Sequence, residues 1–203
     1  MAGGRLITFE GIDGSGKTTQ LRALATRLRE NGTAVVETRE PGGAEGAEAI
    51  RRLLVEGDPG RWSAETEILL FTAARRDHLE RRIAPALADG ATVLCDRFVD
   101  STRVYQGAAR AELRGTVDAL HALMIGIEPD LTLILDLDPG TAVARGAARG
   151  GVEDRFERFG PAFQARLRDG FLALAAEFPE RCRVVPADGP AETVAARVAE
   201  ALT

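Results

Sequence analysis

Phe9 to Gln20 reads FEGIDGSGKTTQ, and no other stretch of the chain restricts the fold so strongly. The spacing is G-x-x-x-x-G-K-T, with Gly11, Gly16, Lys17 and Thr18 at the defining positions. It follows the short apolar run Leu6 to Phe9 and precedes an amphipathic stretch, the strand–loop–helix context in which such a loop wraps nucleotide phosphate. Glycines let the backbone turn its N–H groups inward, and a helix starting near Gly16 aims the positive end of its dipole at the same point. Lys17 adds a point charge and Thr18 a hydroxyl suited to magnesium. Asp13 is the odd member, a carboxylate in the middle of an anion cradle.

The rest of the chain alternates two periodicities. Five apolar runs read as buried strands: Leu6 to Glu10, Ala34 to Thr38, Thr92 to Asp96, Leu131 to Leu137 and Arg183 to Pro186. Runs of this kind suit a sheet covered on both faces. Between them Leu21, Leu24, Ala25 and Leu28 share one helical face, as do Leu113, Val117, Leu120 and Met124, and later Val194, Val198 and Leu202. The alternation predicts an α/β fold of three layers, a five-stranded parallel sheet flanked by helices. With 203 residues and 45% hydrophobic composition the chain can bury one sizeable core, so a single domain over 1–203 is expected. The glycine-rich TREPGGAEG and RGAARGGVEDR read as functional loops within it.

Charge narrows the partners. The 26 basic residues face 31 acidic ones, a net charge of −5, so no basic footprint for nucleic acid exists and any anion site must be local. Cys95 and Cys182 are too few for a disulfide scaffold or a cysteine zinc cluster and read as core thiols. MAGGRLITFE contains no long apolar segment, so neither a signal peptide nor a membrane span is expected, and a soluble cytoplasmic protein is. His78 and His121 fall on helical patterns without partner metal ligands and read as surface or packing residues.

A phosphate loop alone does not separate a motor, a switch and a kinase. Four further segments narrow the choice: TREPGG at Thr38 to Gly43, FTAAR at Phe71 to Arg75, DRFVDSTRVYQG at Asp96 to Gly107, and DRFE at Asp154 to Glu157. Singly they read as a Pro–Gly turn, a helix turn with a solvated arginine, and strand-end salt bridges. In this order, with FEGIDGSGKTT, they resemble the bacterial thymidylate kinases of the P-loop nucleoside monophosphate kinase superfamily over nearly the whole chain. The resemblance implies transfer of the γ-phosphoryl of ATP to the 5′-phosphate of dTMP, giving dTDP and ADP for dTTP biosynthesis. It also implies Mg²⁺ as cofactor, ATP as co-substrate, and a homodimer in which the helical stretch Glu65 to Leu87 pairs the subunits.

The acceptor is itself a phosphate with a second pKa of about 6, so it is largely a dianion at neutral pH and needs no strong general base. No His or nucleophilic triad stands near the motifs. The difficulty is to bring two polyanions together, by positioning and charge neutralisation. Following the resemblance, Gly11, Ile12, Asp13, Gly14, Ser15, Gly16, Lys17, Thr18 and Thr19 would bind ATP, and Thr18 and Asp96 would serve the metal. Arg39 and Arg97 would grip the acceptor phosphate with their guanidinium forks. Asp96 would hold the magnesium water shell or orient Arg97, and Lys17, Asp96 and Arg97 would form the catalytic set together with Arg145, Arg149 and Arg155. Phe71 would stack on thymine, Arg75 would donate to a base carbonyl, Ser101 and Thr102 would complete the polar edge, and Gln106 would support the base. Tyr105 would pack where a ribose 2′-hydroxyl would sit, and Asp13 would accept the 3′-hydroxyl.

One subclass of these kinases carries a catalytic arginine at the position of Gly14. Its charge would come here from Arg145, Arg149 and Arg155, on a lid over about residues 145–158, and adenine would rest near Ala187 to Pro190. Independently of the resemblance, Asp13, Arg39 and Asp96 all follow strands, and ligands of open parallel sheets collect at those carboxyl ends. On the residues alone, a kinase of other pyrimidine monophosphates such as dUMP or dCMP and a nucleotide-hydrolysing switch stay open. Against the switch stands the absence of an N-K-x-D guanine-reading run.

Overall fold

Leu6 to Glu10 are buried without a break, and that run forms the centre of the molecule. The computed structural model describes residues 3–58, 60–109, 112–148 and 160–202. Its strands are β1 (Arg5–Glu10), β2 (Val35–Arg39), β3 (Thr92–Asp96), β4 (Leu131–Asp136) and β5 (Cys182–Pro186). They form an all-parallel sheet in the order β2-β3-β1-β4-β5. The expected α/β class and five parallel strands are present, with strand bounds shifted by a residue at several ends.

The helices are α1 (Lys17–Glu30), α2 (Glu45–Val55), α3 (Ala64–His78), α4 (Ala84–Ala88), α5 (Val99–Ala109), α6 (Leu113–Met124), α7 (Pro139–Ala148), α8 (Gly160–Glu177) and α9 (Ala191–Glu200). A π-helical turn, Leu79–Ile83, joins α3 to α4. Among the described residues no helix is long and apolar enough to cross a membrane.

Period-two alternation divides the core. Ile7 and Phe9 of β1 and Leu94 of β3 enter a cluster with Leu21 and Leu24 of α1, Phe171 of α8 and Val194 of α9. Leu6 of β1 with Val93 and Cys95 of β3 enters a second cluster with Ile68 of α3, Val117 of α6 and Phe98 in the turn after β3. Thr8 and Glu10 therefore lie on the Leu6 face, where Thr8 meets the hydroxyl of Thr132 on β4 (3.0 Å) and Glu10 meets the start of α5.

Register decides what meets at the carboxyl edge. Phe9 lies opposite Asp96, and Asp96 lies opposite Arg39. The loop after β1, the turn after β3 and the TREPGG segment, which begins in the last two residues of β2, are thus delivered to one edge of the sheet.

A polar knot fastens α5 to the sheet beneath that edge. Asp100 is fully buried and accepts from Arg181 (2.6 and 3.0 Å), Arg103 (2.9 Å) and the Thr132 hydroxyl (3.0 Å). Burial opposes its charge, but Arg181 and Arg103 prevail and hold the carboxyl below its ordinary range. Breaking one side of such a buried pair leaves uncompensated charge. Asp100→Ala should lower the unfolding free energy by about 3–5 kcal/mol, read from the midpoint of urea denaturation.

Candidate active site

The phosphate loop joins β1 to α1 without a side-chain cap. Gly16 is the N-cap, no side chain bonds the first N–H groups of α1, and no acidic residue stands in the first turn. Those N–H groups and the helix dipole are left to an anion. Lys17, the first residue of α1, is buried, and its ammonium donates to the carbonyls of Gly11 (3.1 Å) and Ile12 (3.0 Å). Burial, and then the Arg97 charge, lower its pKa from the ordinary lysine value. Ser15 is also buried, while Thr18 and Thr19 are exposed.

Asp13 turns out of the loop toward the turn after β3. It accepts from Arg97 Nη2 at 2.5 Å and from the Tyr105 hydroxyl at 3.3 Å, and it lies 3.7 Å from the Lys17 ammonium. Burial works against its ionised form, yet Arg97 and Lys17 overcome that and hold the carboxyl at about 2. Arg97 is fixed on every side: its backbone N–H donates to the Phe9 carbonyl (2.9 Å), its Nη1 to Ser101 (2.8 Å) and its Nη2 also to Tyr105 (3.1 Å). Beside it, the Thr18 hydroxyl donates to the Asp96 carboxylate.

These two oxygen donors are of the hard type that magnesium prefers. Magnesium commonly takes one or two carboxylates and completes its shell with water and substrate phosphate. Among the described residues no cluster of three His, Cys, Asp or Glu side chains forms a separate cage. The donor set at Thr18 and Asp96 therefore fits the ion.

The other residues expected on the acceptor side fall into two groups. Arg75 is buried, donates from Nε to Glu40 (2.6 Å) and from Nη2 to Thr102 (3.0 Å), and lies over the Phe98 ring. Gln106 is buried and donates to Glu67 at 3.5 Å, while Phe71, on the same helix as Arg75, is half-buried. Arg39, by contrast, is exposed and pairs with Glu48 at 2.9 Å.

A sequence model of the thymidylate kinase family matches residues 9–198. The thymidylate kinase of Ruegeria pomeroyi is 64% identical over 197 residues, covering 97% of this chain and 93% of that one. That of Caulobacter vibrioides is 52% identical over 201 residues, covering 98% and 96%. The crystal structure of thymidylate kinase from Ehrlichia chaffeensis matches the whole of both chains with a TM-score of 0.80 at 36% identity. The chain belongs to the thymidylate kinase family.

Within this thymidylate kinase fold, position 14 explains itself. Gly14 has φ +83°, and a Cβ there would run into the carbonyl of Ala142 on α7. An arginine at this position would have to displace that helix. Of the three arginines assigned to replace its charge, Arg145 lies on α7 and donates to the carbonyls of Ala187 (3.1 Å) and Gly189 (3.2 Å). It thus reaches the loop expected near adenine. Arg149, Arg155 and the DRFE segment lie outside the described residues.

Three residues escaped the sequence reading of this thymidylate kinase site. His78 was expected at the surface or in a packing role; it is fully buried, and the unforeseen part is its polar bridge from Glu40 (3.0 Å) to Thr38 (2.7 Å). Gly43, with φ +87°, allows the approach, since a Cβ would strike His78 and Thr38. Glu40 in turn orients Arg75. The available sign was helical spacing, because Phe71, Arg75 and His78 recur on one face. Glu10 is the third. It ends the central strand fully buried, and its carboxylate accepts from the N–H groups of Phe98 (2.8 Å) and Ser101 (3.2 Å) and from the Ser101 hydroxyl (2.5 Å). A carboxylate closing an apolar run was itself a sign that a partner must exist.

Burial, and then the Asp100 charge, push the Glu10 carboxyl up from 4.5 to about 7. The folded chain therefore binds this proton more tightly than the unfolded one. The stabilisation is complete below about pH 4.5 and is lost as pH rises through about 7. Urea titrations of the wild-type chain and Glu10→Gln should show the difference, wild type minus variant, falling between about pH 5 and about pH 8. A constant difference would contradict the raised value.

Proposed function

We propose that the phosphate loop forms the ATP side of the site, and that the TREPGG, FTAAR and DR segments form its dTMP side. The chain is a kinase of nucleotide biosynthesis that uses ATP to convert dTMP to dTDP. The observation that supports this division is the placing of Asp13, which touches Lys17 on one side and Arg97 and Tyr105 on the other. One carboxylate separates a donor-side cation from an acceptor-side cation.

On this reading Lys17 and the free N–H groups of α1 hold the β- and γ-phosphates, and Arg97 with Arg39 holds the acceptor phosphate. The Arg39–Glu48 pair is exposed, and such pairs contribute little, so a phosphate dianion can displace Glu48. Phe71 stacks on thymine, Arg75 and Gln106 meet its polar edge, and Ser101 and Thr102 support the two arginines they touch. Tyr105 closes the space of a ribose 2′-hydroxyl, and Asp13 receives the 3′-hydroxyl. Magnesium, held through Thr18 and Asp96, supplies charge neutralisation of the donor phosphates when bound. Arg145 steadies the adenine loop, and Arg149 and Arg155 are the remaining candidates for the charge that Gly14 cannot carry. The whole chain acts as one kinase domain, with its lid over about residues 145–158. Two free, buried thiols agree with a cytoplasmic enzyme.

ADP release by the purified protein, measured against dTMP, dUMP, dCMP, dGMP, UMP and AMP, tests the reading. A strong preference for dTMP and loss of activity on chelating magnesium are expected. A broad acceptor range would overturn the base pocket, and hydrolysis without acceptor would favour a switch. Phe71→Ala should raise KM for dTMP about tenfold and leave KM for ATP unchanged, since stacking a base on an aromatic ring contributes about 1–3 kcal/mol.

A homodimer through α2, α3 and α6 completes the proposal. These helices pack on one another and expose Leu53, Leu69, Leu123 and Met124, with Leu123 as much as 79% open. Large apolar side chains gathered in this way mark an interface. Sedimentation velocity should give a dimer, and Leu123→Asp should shift it toward monomer.

A further inference from the structure

Arg97 occupies an unusual backbone position. Its φ is +68°, a region that residues other than glycine seldom enter, and the residues around it must hold the turn in place. The Arg97 N–H donates to the Phe9 carbonyl and its carbonyl accepts from the Cys95 thiol (3.0 Å), and Glu10 holds the residues that follow. Its carboxylate gathers the N–H groups of Phe98 and Ser101, which open α5, together with the Ser101 hydroxyl. The same Ser101 oxygen accepts from Arg97 Nη1 at 2.8 Å.

The direction of the Ser101 proton links the two. While Glu10 is ionised it takes that proton, and the lone pairs of Ser101 Oγ face the guanidinium. Were Glu10 protonated, or replaced by glutamine, its side chain would donate to Ser101 Oγ. The serine proton would then turn outward, toward the Arg97 donors. We propose that Glu10 is a positioning residue for acceptor binding: by accepting the Ser101 hydroxyl it leaves Ser101 free to aim the Arg97 guanidinium. The inference rests on the reading of Arg97 as the grip on the acceptor phosphate.

The carboxyl titrates at about 7, within the working range of such an enzyme. Other titratable groups face it from each side: Asp100 on α5, Arg97 in the turn, Lys17 on α1, and the thiols of Cys95 on β3 and Cys182 on β5. Burial pushes both thiols up, and arginine partners hold Asp100 down. Burial, and then the Arg97 charge, lower Lys17, and KM for ATP reads that group apart from Glu10.

The test is KM for dTMP, KM for ATP and kcat across about pH 6 to 8.5, for the wild-type chain, Glu10→Gln, Ser101→Ala, the double variant and Arg97→Ala. Wild-type KM for dTMP should fall as pH rises through about 7, beyond the change near pH 6 that the acceptor's own ionisation causes. Glu10→Gln should lose the step near 7 and keep the acceptor's. At about pH 8 its KM for dTMP should be raised about tenfold with KM for ATP unchanged, the effect of misaligning one hydrogen bond to a charged group. Added to Ser101→Ala, it should change nothing further. A wild-type pH profile in Glu10→Gln, or effects of Glu10→Gln and Ser101→Ala that simply add, overturns the inference. If Arg97→Ala leaves KM for dTMP unchanged, the reading of Arg97 fails and takes the inference with it. If Arg97→Ala raises KM but Glu10→Gln leaves the profile intact, the inference alone fails. Should Glu10→Gln not fold, Glu10→Asp keeps the charge and shortens the reach: a raised KM that still steps with pH supports the inference, and a wild-type KM overturns it.

Discussion

A single carboxylate between two cations organises this site. Asp13 lies within reach of Lys17 and Arg97. Without it, two positive groups brought together by the β1–β3 register would repel, and burial would further penalise both. With it, the charged form of each is favoured: Asp13 is held at about 2, its charge opposes the lowering of Lys17, and Arg97 is raised well above its ordinary value by Tyr105 and Asp13 despite burial. An acidic residue in an anion cradle is therefore no contradiction. It divides one broad positive field into two sites, one on each side of the carboxylate.

Much of this was legible in the sequence. Parallel strands are written as apolar runs, so all five were found within a residue of their observed ends, but the edge strands expected to be buried are not fully so: β2 is half-buried and β5 exposes Arg183, Val184 and Pro186, because each has a neighbour on one side only. The phosphate loop was found because its chemistry demands residues at fixed local spacing. What could not be read was partnership across the sheet. Nothing local in Leu6 to Glu10 says that this strand lies between β3 and β4, and only that order brings Glu10 beneath Ser101, 91 residues away. His78 and Glu40 are separated by 38 residues and meet only when α3 lies over the end of β2. A charge at a strand end and a histidine on a helix look ordinary until register gives each its partner.

Gly14 shows how a local choice reaches across the fold. Its lack of a side chain lets α7 approach the phosphate loop through Ala142, and the same helix carries Arg145 to the loop after β5. The phosphate loop and the 187–189 loop are thereby tied to one rigid element. A chain with a larger residue at 14 would gain a side chain at the loop and lose this contact with α7.

The arginines of the acceptor side each have a carboxylate partner, and the depth of the pair follows the task proposed for it. Arg75 is 3% exposed and locked to Glu40, Arg97 is 16% exposed and shared between Asp13, Ser101 and Tyr105, and Arg39 is 53% exposed against Glu48. Buried pairs add less to stability than their Coulomb energy suggests, but a broken one is costly, so they hold a guanidinium in a single orientation. Exposed pairs exchange partners at little cost. Discriminating a base edge depends on the angle at which a donor is presented, whereas capturing a dianion depends mainly on charge arriving within reach. In a chain whose net charge is −5, cations could not be concentrated here by excess alone. Pairing lets them gather, and on the roles proposed for them Arg75 is held rigid to select the base while Arg39 can exchange Glu48 for phosphate.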